Sequence, residues 1–260
     1  MANRYYAADD QRAGRVGDLF AAIAPRYDLI NDLQSLGLHR RWKRRLVRLA
    51  HVHPGAGALD LCCGTGDIAF SLAEQGAASF GLDFSPAMLA VALKRATARR
   101  AGGGLVSTDA RPNAAPQFVR ADALKLPFAS AQFDVVTIGY GLRNLASFER
   151  SLREMWRVTK PGGRILILDF GKPEDALWRA LYYLYLRTVV PLCGWLFCGD
   201  AAAYAYILES LQHYPGQNAV AELMRQVGFT RVRITNILGG IMSINSGEIP
   251  RPAWPPRQSA

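Results

Sequence analysis

Three short segments, each at the end of an apolar run, carry residues whose types and spacing suit the binding of an adenosine-bearing cation. The first is Leu59-Asp60-Leu61-Cys62-Cys63-Gly64-Thr65-Gly66-Asp67, a strand running into a glycine turn and then a helix. Glycine there permits a tight turn and lets backbone N–H groups approach a ligand without a Cβ in the way. Taken alone, Gly64-x-Gly66-x-x-Ala69 also satisfies a dinucleotide-binding pattern. Asp60 inside the strand discriminates, because its charge would repel a pyrophosphate and attract a sulfonium ligand that also carries an ammonium group. Asp60, Gly64, Thr65 and Gly66 are therefore cofactor-binding candidates. Asp83, just after the second strand, suits acceptance of hydrogen bonds from two ribose hydroxyls. Ser85-Pro86 then reads as the cap and first residue of a helix. Asp122 and the backbone of Ala123 follow the third strand, where an adenine amino edge would lie.

The elements that must hold these residues alternate along the chain. Strands are predicted at Ala58–Leu61, Ser79–Leu82, Phe118–Arg120, Phe133–Ile138 and Arg164–Leu168, the last launched by the turn Lys160-Pro161-Gly162-Gly163. Helices are predicted at Asp67–Gln75, Pro86–Arg100 and Phe148–Val158. Arg231–Ile237, Gly239-Gly240 and Ile241–Asn245 read as a hairpin. The pattern predicts an α/β fold: a doubly wound, seven-stranded, mostly parallel sheet with a helical N-terminal segment and a C-terminal hairpin. Gly102–Pro116 reads as a surface loop, and the proline-rich stretch from Ile249 to Ala260 as disordered. The expected division is a helical segment over 1–52 that faces substrate or membrane, a binding domain over 53–247 with a helical lid over 171–215, and a tail over 248–260.

Lys and Arg total 31 against 21 Asp and Glu, a net charge of +10, which favours an anionic partner or surface. Leu38, Trp42, Leu46 and Leu49 recur at helical spacing, with Arg40, Arg41, Lys43, Arg44, Arg45 and Arg48 on the polar side. That side is either a solvated face or one that meets phosphate or lipid headgroups. Leu177–Phe197 is strongly apolar, yet Arg179, Arg187, Pro191 and Gly194 make it a poor membrane span. It is either a helix packed on the sheet or an apolar docking surface. The four cysteines lack metal or redox spacing, His51-x-His53 has no supporting ligand, and no metal is expected.

Other segments carry a resemblance. Together with the strand-end motifs, Tyr27-Asp28-Leu29-Ile30-Asn31-Asp32-Leu33-Gln34-Ser35-Leu36-Gly37-Leu38-His39-Arg40-Arg41-Trp42, Gly141-Leu142-Arg143-Asn144, Arg157–Gly163 and Gly239-Gly240-Ile241 look like the family that C-methylates prenylated quinol rings in ubiquinone and menaquinone biosynthesis. The likeness spans about Gly17 to Gly247. It implies a Rossmann-like class I fold, S-adenosylmethionine as methyl donor, a prenylated quinol as acceptor, no nucleic acid, and transient contact with a membrane surface from the cytoplasm. A homo-oligomer is left open. It further implies Gly139 beside the cofactor, at a position where many relatives carry Ser, and Gly171 where Ser is common. Tyr27, Asp28, His39 and Arg143 are the catalytic candidates, Arg143 steering or stabilising a phenolate without taking a proton. The rival readings are an RNA methyltransferase and a non-catalytic S-adenosylmethionine-binding subunit of a quinone-biosynthesis complex.

Overall fold

Near-continuous apolar runs send successive side chains to opposite faces of the sheet, so both faces are apolar and helices cover both. The computed structural model describes residues 23–101, 115–198 and 208–251, with Gly14, Gly17, Phe20 and Ala21 before them. Two helices, α1 (Tyr27–Ser35) and α2 (Leu38–Ala50), precede the sheet. There follow β1 (Gly57–Leu61), α3 (Asp67–Glu74), β2 (Ala78–Asp83), α4 (Pro86–Ala101), β3 (Gln117–Arg120) and β4 (Phe133–Gly139). The second half holds α5 (Phe148–Val158), β5 (Thr159–Phe170), α6 (Ala176–Cys198), α7 (Gly216–Val227), β6 (Thr230–Ile237) and β7 (Met242–Glu248). Residues 208–213 are also helical.

The sheet has seven strands in the order β3-β2-β1-β4-β5-β7-β6. The first five pair in parallel, and β7 runs antiparallel to both β5 and β6. Leu59, Val136, Ile138, Ile165 and Ile167 point to one face, onto Leu152 and Met155 of α5, Leu186 of α6 and Val220 of α7. Ala58, Val135, Leu166 and Leu168 point to the other, onto Leu46 of α2 and Leu72 of α3. Strand order reverses between β1 and β4, and a doubly wound sheet opens a crevice there at the carboxyl ends of its strands.

The expected strand and helix pattern is present, with three differences. β5 starts at Thr159, before the glycine turn: Thr159 pairs with Phe133 and Arg164 with Val135, so Lys160–Gly163 bulge out opposite Asp134. The Lys160 ammonium fastens the bulge to the Asp134 carboxylate at 2.8 Å. The tail does not begin at Ile249, which is buried and exchanges backbone hydrogen bonds with Gly162 and Gly163; residues 252–260 lie outside the described residues. Of the expected loop, residues 102–114 lie outside them too. Lys43 does not sit on a solvated face of α2. It is 8% exposed and donates to Asp67 of α3 at 2.8 Å, while Arg40, Arg41, Arg44, Arg45 and Arg48 are exposed.

The apolar segment packs against the sheet along one side of its helix. In α6, Tyr182, Leu186 and Val190 are buried, whereas Leu177, Leu181, Leu184 and Leu192 are exposed on the opposite side. No helix among the described residues is long and apolar enough to cross a membrane.

Gly171 departs from the resembled pattern for a visible reason. Its N–H bonds the Ile241 carbonyl at 2.8 Å, and a Cβ would collide with the Gly240 carbonyl oxygen. Gly171→Ser is therefore expected to destabilise the fold by about 2 kcal/mol, because neither backbone segment has space to retreat. Urea unfolding of the variant checks this, and an unchanged midpoint with unchanged slope would show that the β7 turn yields freely.

Candidate active site

A single cavity opens at the crevice between β1 and β4. Gly64, Asp83, Asp122, Ala123 and Gly139 line it, with Tyr27 of α1 opposite and Asn144 beside it. Gly64 adopts a φ of +55°, and a Cβ there would lie 3.9 Å from the Tyr27 ring, so that ring rests directly over the turn. Asp83 holds the turn in place: its two carboxylate oxygens accept the N–H groups of Gly64 at 2.8 Å and Ser85 at 2.9 Å. A carboxylate has about four acceptor positions, so two remain for a ligand. Ser85 caps α4, accepting the Met88 N–H at 3.4 Å.

Asp60 lies beneath the turn and is 1% exposed. One oxygen accepts the Thr137 hydroxyl at 2.8 Å, and the other is buried without a partner. Burial raises its pKa to about 7, against the opposing pull of the Thr137 hydrogen bond. Burial likewise raises Asp83. The turn is thus flanked by buried acids with no ion-pair partner among the described residues, an arrangement that suits a cationic ligand, whose charge would favour their ionised form.

Other predicted residues are placed differently. The Thr65 hydroxyl faces away from the turn's ligand side and donates to Asp28 at 2.8 Å. Gly66, with a φ of +89°, admits the rings of Phe118 and Phe70, which a Cβ would meet at about 3.0 Å. Asp122 spends one oxygen on the Leu124 N–H at 2.8 Å. A Cβ at Gly139 would meet the Ile68 side chain at 2.5 Å, so a Ser there requires Ile68 to rotate. Asp28 also accepts from Arg95 at 3.2 Å, which ties the carboxylate down on both sides. His39 is buried at the base of α2 with Nε2 bonded to Asp32 at 2.8 Å, and burial lowers its pKa, keeping it neutral.

Arg143 stands behind the cavity wall. Its guanidinium donates to the Tyr140 carbonyl at 2.8 Å, to Asp169 at 2.9 Å and to the Ser210 hydroxyl at 3.3 Å, and it lies 4.7 Å from the Phe170 ring centroid. With the Asn144 amide at 3.2 Å, it pins Tyr140 in a left-handed conformation, φ +61°. That conformation costs a residue with a Cβ about 1–2 kcal/mol, and such strain collects at functional sites. Arg95, Asp67 and Asp169 are the participants that sequence reasoning missed. Asp67 stood inside a quoted motif, but Arg95 sits in the middle of α4 with no local signal.

The fold and this site define a class I S-adenosylmethionine-dependent methyltransferase. The family model described as the ubiE/COQ5 methyltransferase family matches residues 7–248, and the chain belongs to that family. It is 40% identical over 243 residues to an Azotobacter vinelandii protein named ubiquinone/menaquinone biosynthesis C-methyltransferase, covering 92% of this chain and 91% of that one. It is 41% identical over 234 residues to the demethylmenaquinone methyltransferase of Thermus thermophilus, covering 89% of this chain and all of that one, 100%. Among solved structures it shares its fold with Haemonchus contortus phosphoethanolamine N-methyltransferase 2 bound to S-adenosyl-L-methionine. There the TM-score is 0.59 and the identity 15%, over 81% of this chain and 53% of that one. An Aquifex aeolicus SAM-dependent methyltransferase gives a TM-score of 0.54 at 14% identity, over 80% of this chain and 89% of that one.

The protonation of Asp60 has a measurable consequence. The folded chain keeps this carboxyl protonated up to about pH 7, whereas an unfolded one ionises near 3.8. Between those values the folded state holds the extra proton, so stability falls as pH rises, by up to about 1.4 kcal/mol per pH unit. Asp60→Asn is expected to flatten the dependence of stability on pH between about 5 and 7. Urea midpoints across that range, compared with the parent chain, check it; identical slopes would mean that Asp60 is ionised in the folded protein.

Proposed function

We propose that this enzyme transfers a methyl group from S-adenosylmethionine to a ring carbon of a prenylated quinol, either a naphthoquinol on the way to menaquinone or a methoxylated benzoquinol on the way to ubiquinone. The observation that carries this reading is the shared cavity: the acid-ringed glycine turn forms one wall, and Tyr27 with Asn144 forms another. The names of the relatives support the same acceptor class.

Bound S-adenosylmethionine supplies an electrophilic methyl group on a sulfonium. Asp83 would hold the ribose hydroxyls and Asp122 with Ala123 would bound the adenine, while Asp60, buried beneath the turn, would act on the ammonium end through its charge. The ring carbon forms the new bond with the methyl carbon as the carbon–sulfur bond breaks, and the ring then loses its proton to solvent. An electron-rich phenolate makes that carbon nucleophilic, so the protein's task is to favour the phenolate and hold it in line. Arg143, shut from solvent and paired with Asp169, holds the Tyr140 carbonyl and so fixes the wall against which the anion would lie. Burial keeps the Tyr27 hydroxyl protonated, which suits it to donate to an acceptor oxygen and not to act as base. Asp28 and His39, both engaged elsewhere, serve to place α1 and α2.

A prenyl chain confines the acceptor to a bilayer, and the exposed leucines on the outer side of α6 offer an apolar surface for peripheral contact. This accounts for the apolar stretch without a membrane span.

The direct test is methyl transfer from labelled S-adenosylmethionine to reduced demethylmenaquinol and to the benzoquinol, in detergent, with bulk RNA as a control. Label in either quinol is expected. Label in RNA alone would overturn the acceptor, and intact donor binding with no transfer anywhere would indicate a non-catalytic subunit. Asp83→Ala is expected to weaken S-adenosylmethionine binding by about tenfold to a hundredfold, because buried ribose hydroxyls lose a charged acceptor. Calorimetric titration checks this, and wild-type affinity would move the cofactor elsewhere.

A further inference from the structure

The polar side chains of Thr65 and Asp67, at the glycine turn and the start of its helix, are engaged away from the cavity. They reach outward to the N-terminal helices. Thr65 donates its hydroxyl to Asp28 of α1 at 2.8 Å. Arg95 of α4 bridges the same two residues, donating to the Thr65 carbonyl at 2.9 Å and to the second Asp28 oxygen at 3.2 Å. Its other nitrogen bonds Asp67 at 2.7 Å, and the remaining Asp67 oxygen takes the Lys43 ammonium of α2 at 2.8 Å. Asp32 completes the tie between the two N-terminal helices through His39 at 2.8 Å. The guanidinium also lies 5.3 Å from the Phe70 ring centroid of α3. One cation therefore touches the turn, the helix after it, and the helix that carries Tyr27 over the turn.

We infer that Arg95 and Thr65 are positioning residues that lock α1 onto the occupied cofactor turn, so that binding of the methyl donor sets Tyr27 against the acceptor space and the two ligands bind with positive cooperativity. The acceptor half of this statement rests on the proposed function; the coupling between turn and helix does not. The physical basis is that the contacts on α1 come from the turn's own backbone carbonyl and side chain. A ligand that fixes the backbone from Cys62 to Gly66 fixes both Thr65 groups at once. The same turn cannot shift without moving the partners of Asp28. Coupling of this kind is reciprocal and amounts to about fivefold to a hundredfold in affinity. An ion-pair scaffold with no such role would hold α1 equally well whether or not the turn were filled.

Hydrogen exchange separates the two. Amides of α1 are followed in the full-length protein with and without S-adenosylhomocysteine, in the parent chain and in Thr65→Val and Arg95→Gln. The expected result is that the ligand slows exchange across α1 by about tenfold in the parent chain. In both variants, protection of the turn should still respond while α1 no longer does. Thr65→Val removes one hydroxyl and little volume, and unchanged exchange in β1 and β4 verifies folding. With the quinol present, the variants should show a raised acceptor KM and a smaller change in kcat. An α1 that ignores the ligand in the parent chain, or responds equally in both variants, overturns the inference. Coupling without methylation of any quinol would leave it standing and overturn the acceptor instead.

Discussion

The carboxylate of Asp67 is shared between a lysine from α2 and an arginine from α4, and the arrangement of the site depends on that sharing. Burial of Leu46, Val47 and Ala50 seats α2 on the sheet but does not by itself fix where the turn and α4 lie against it. Charges taken partly out of water are costly unless each finds a partner, and here the partners lie on separate elements. The pairs pull Asp67 well below the usual carboxylate range, despite its burial. An ion pair seldom adds much net stability, but breaking one half of a buried set leaves an uncompensated charge, and this makes one arrangement of the elements strongly preferred over others.

Around the turn the electrostatics run the other way. Asp60 and Asp83 are buried with hydrogen-bond donors but no cation, and both are pushed toward protonation. The cations nearest in the fold are already committed to Asp67, Asp28 and Asp169. A site left acidic in this way accepts a positively charged ligand at little cost, since the ligand brings the counter-charge the site lacks. The acidic side of the cavity faces the wall that carries Tyr27 and Asn144.

Membership of a quinol-methylating family also accounts for features that a soluble substrate would leave idle. α6 is apolar on both sides, although only one side meets the core. Arg143, in turn, is an unusual residue to bury. Its Nε and Nη1 donors reach a strained carbonyl, a carboxylate and a hydroxyl from three parts of the chain, so it ties those segments together at the cavity wall.

Much of the architecture was legible in local sequence because it depends on local causes. Short apolar runs, the Ser85-Pro86 cap and the glycine pairs each act over a few residues, and they set the strands, the α4 start and the hairpin. The glycine turn and Asp83 were legible for the same reason, being tied to strand ends whose order implies the crevice. Side-chain direction was not. Nothing in Thr65-Gly66-Asp67 tells that its polar groups turn to Asp28 and Lys43, residues 37 and 24 positions away in the chain. Lys43 looked like one of six cations on a wet face, and only the packing of α2 against α3 buried it. By itself the sequence determined the fold class, the glycine turn and the family. The tertiary structure alone decided which charges meet, because charge pairing acts through space between elements that share no spacing rule along the chain.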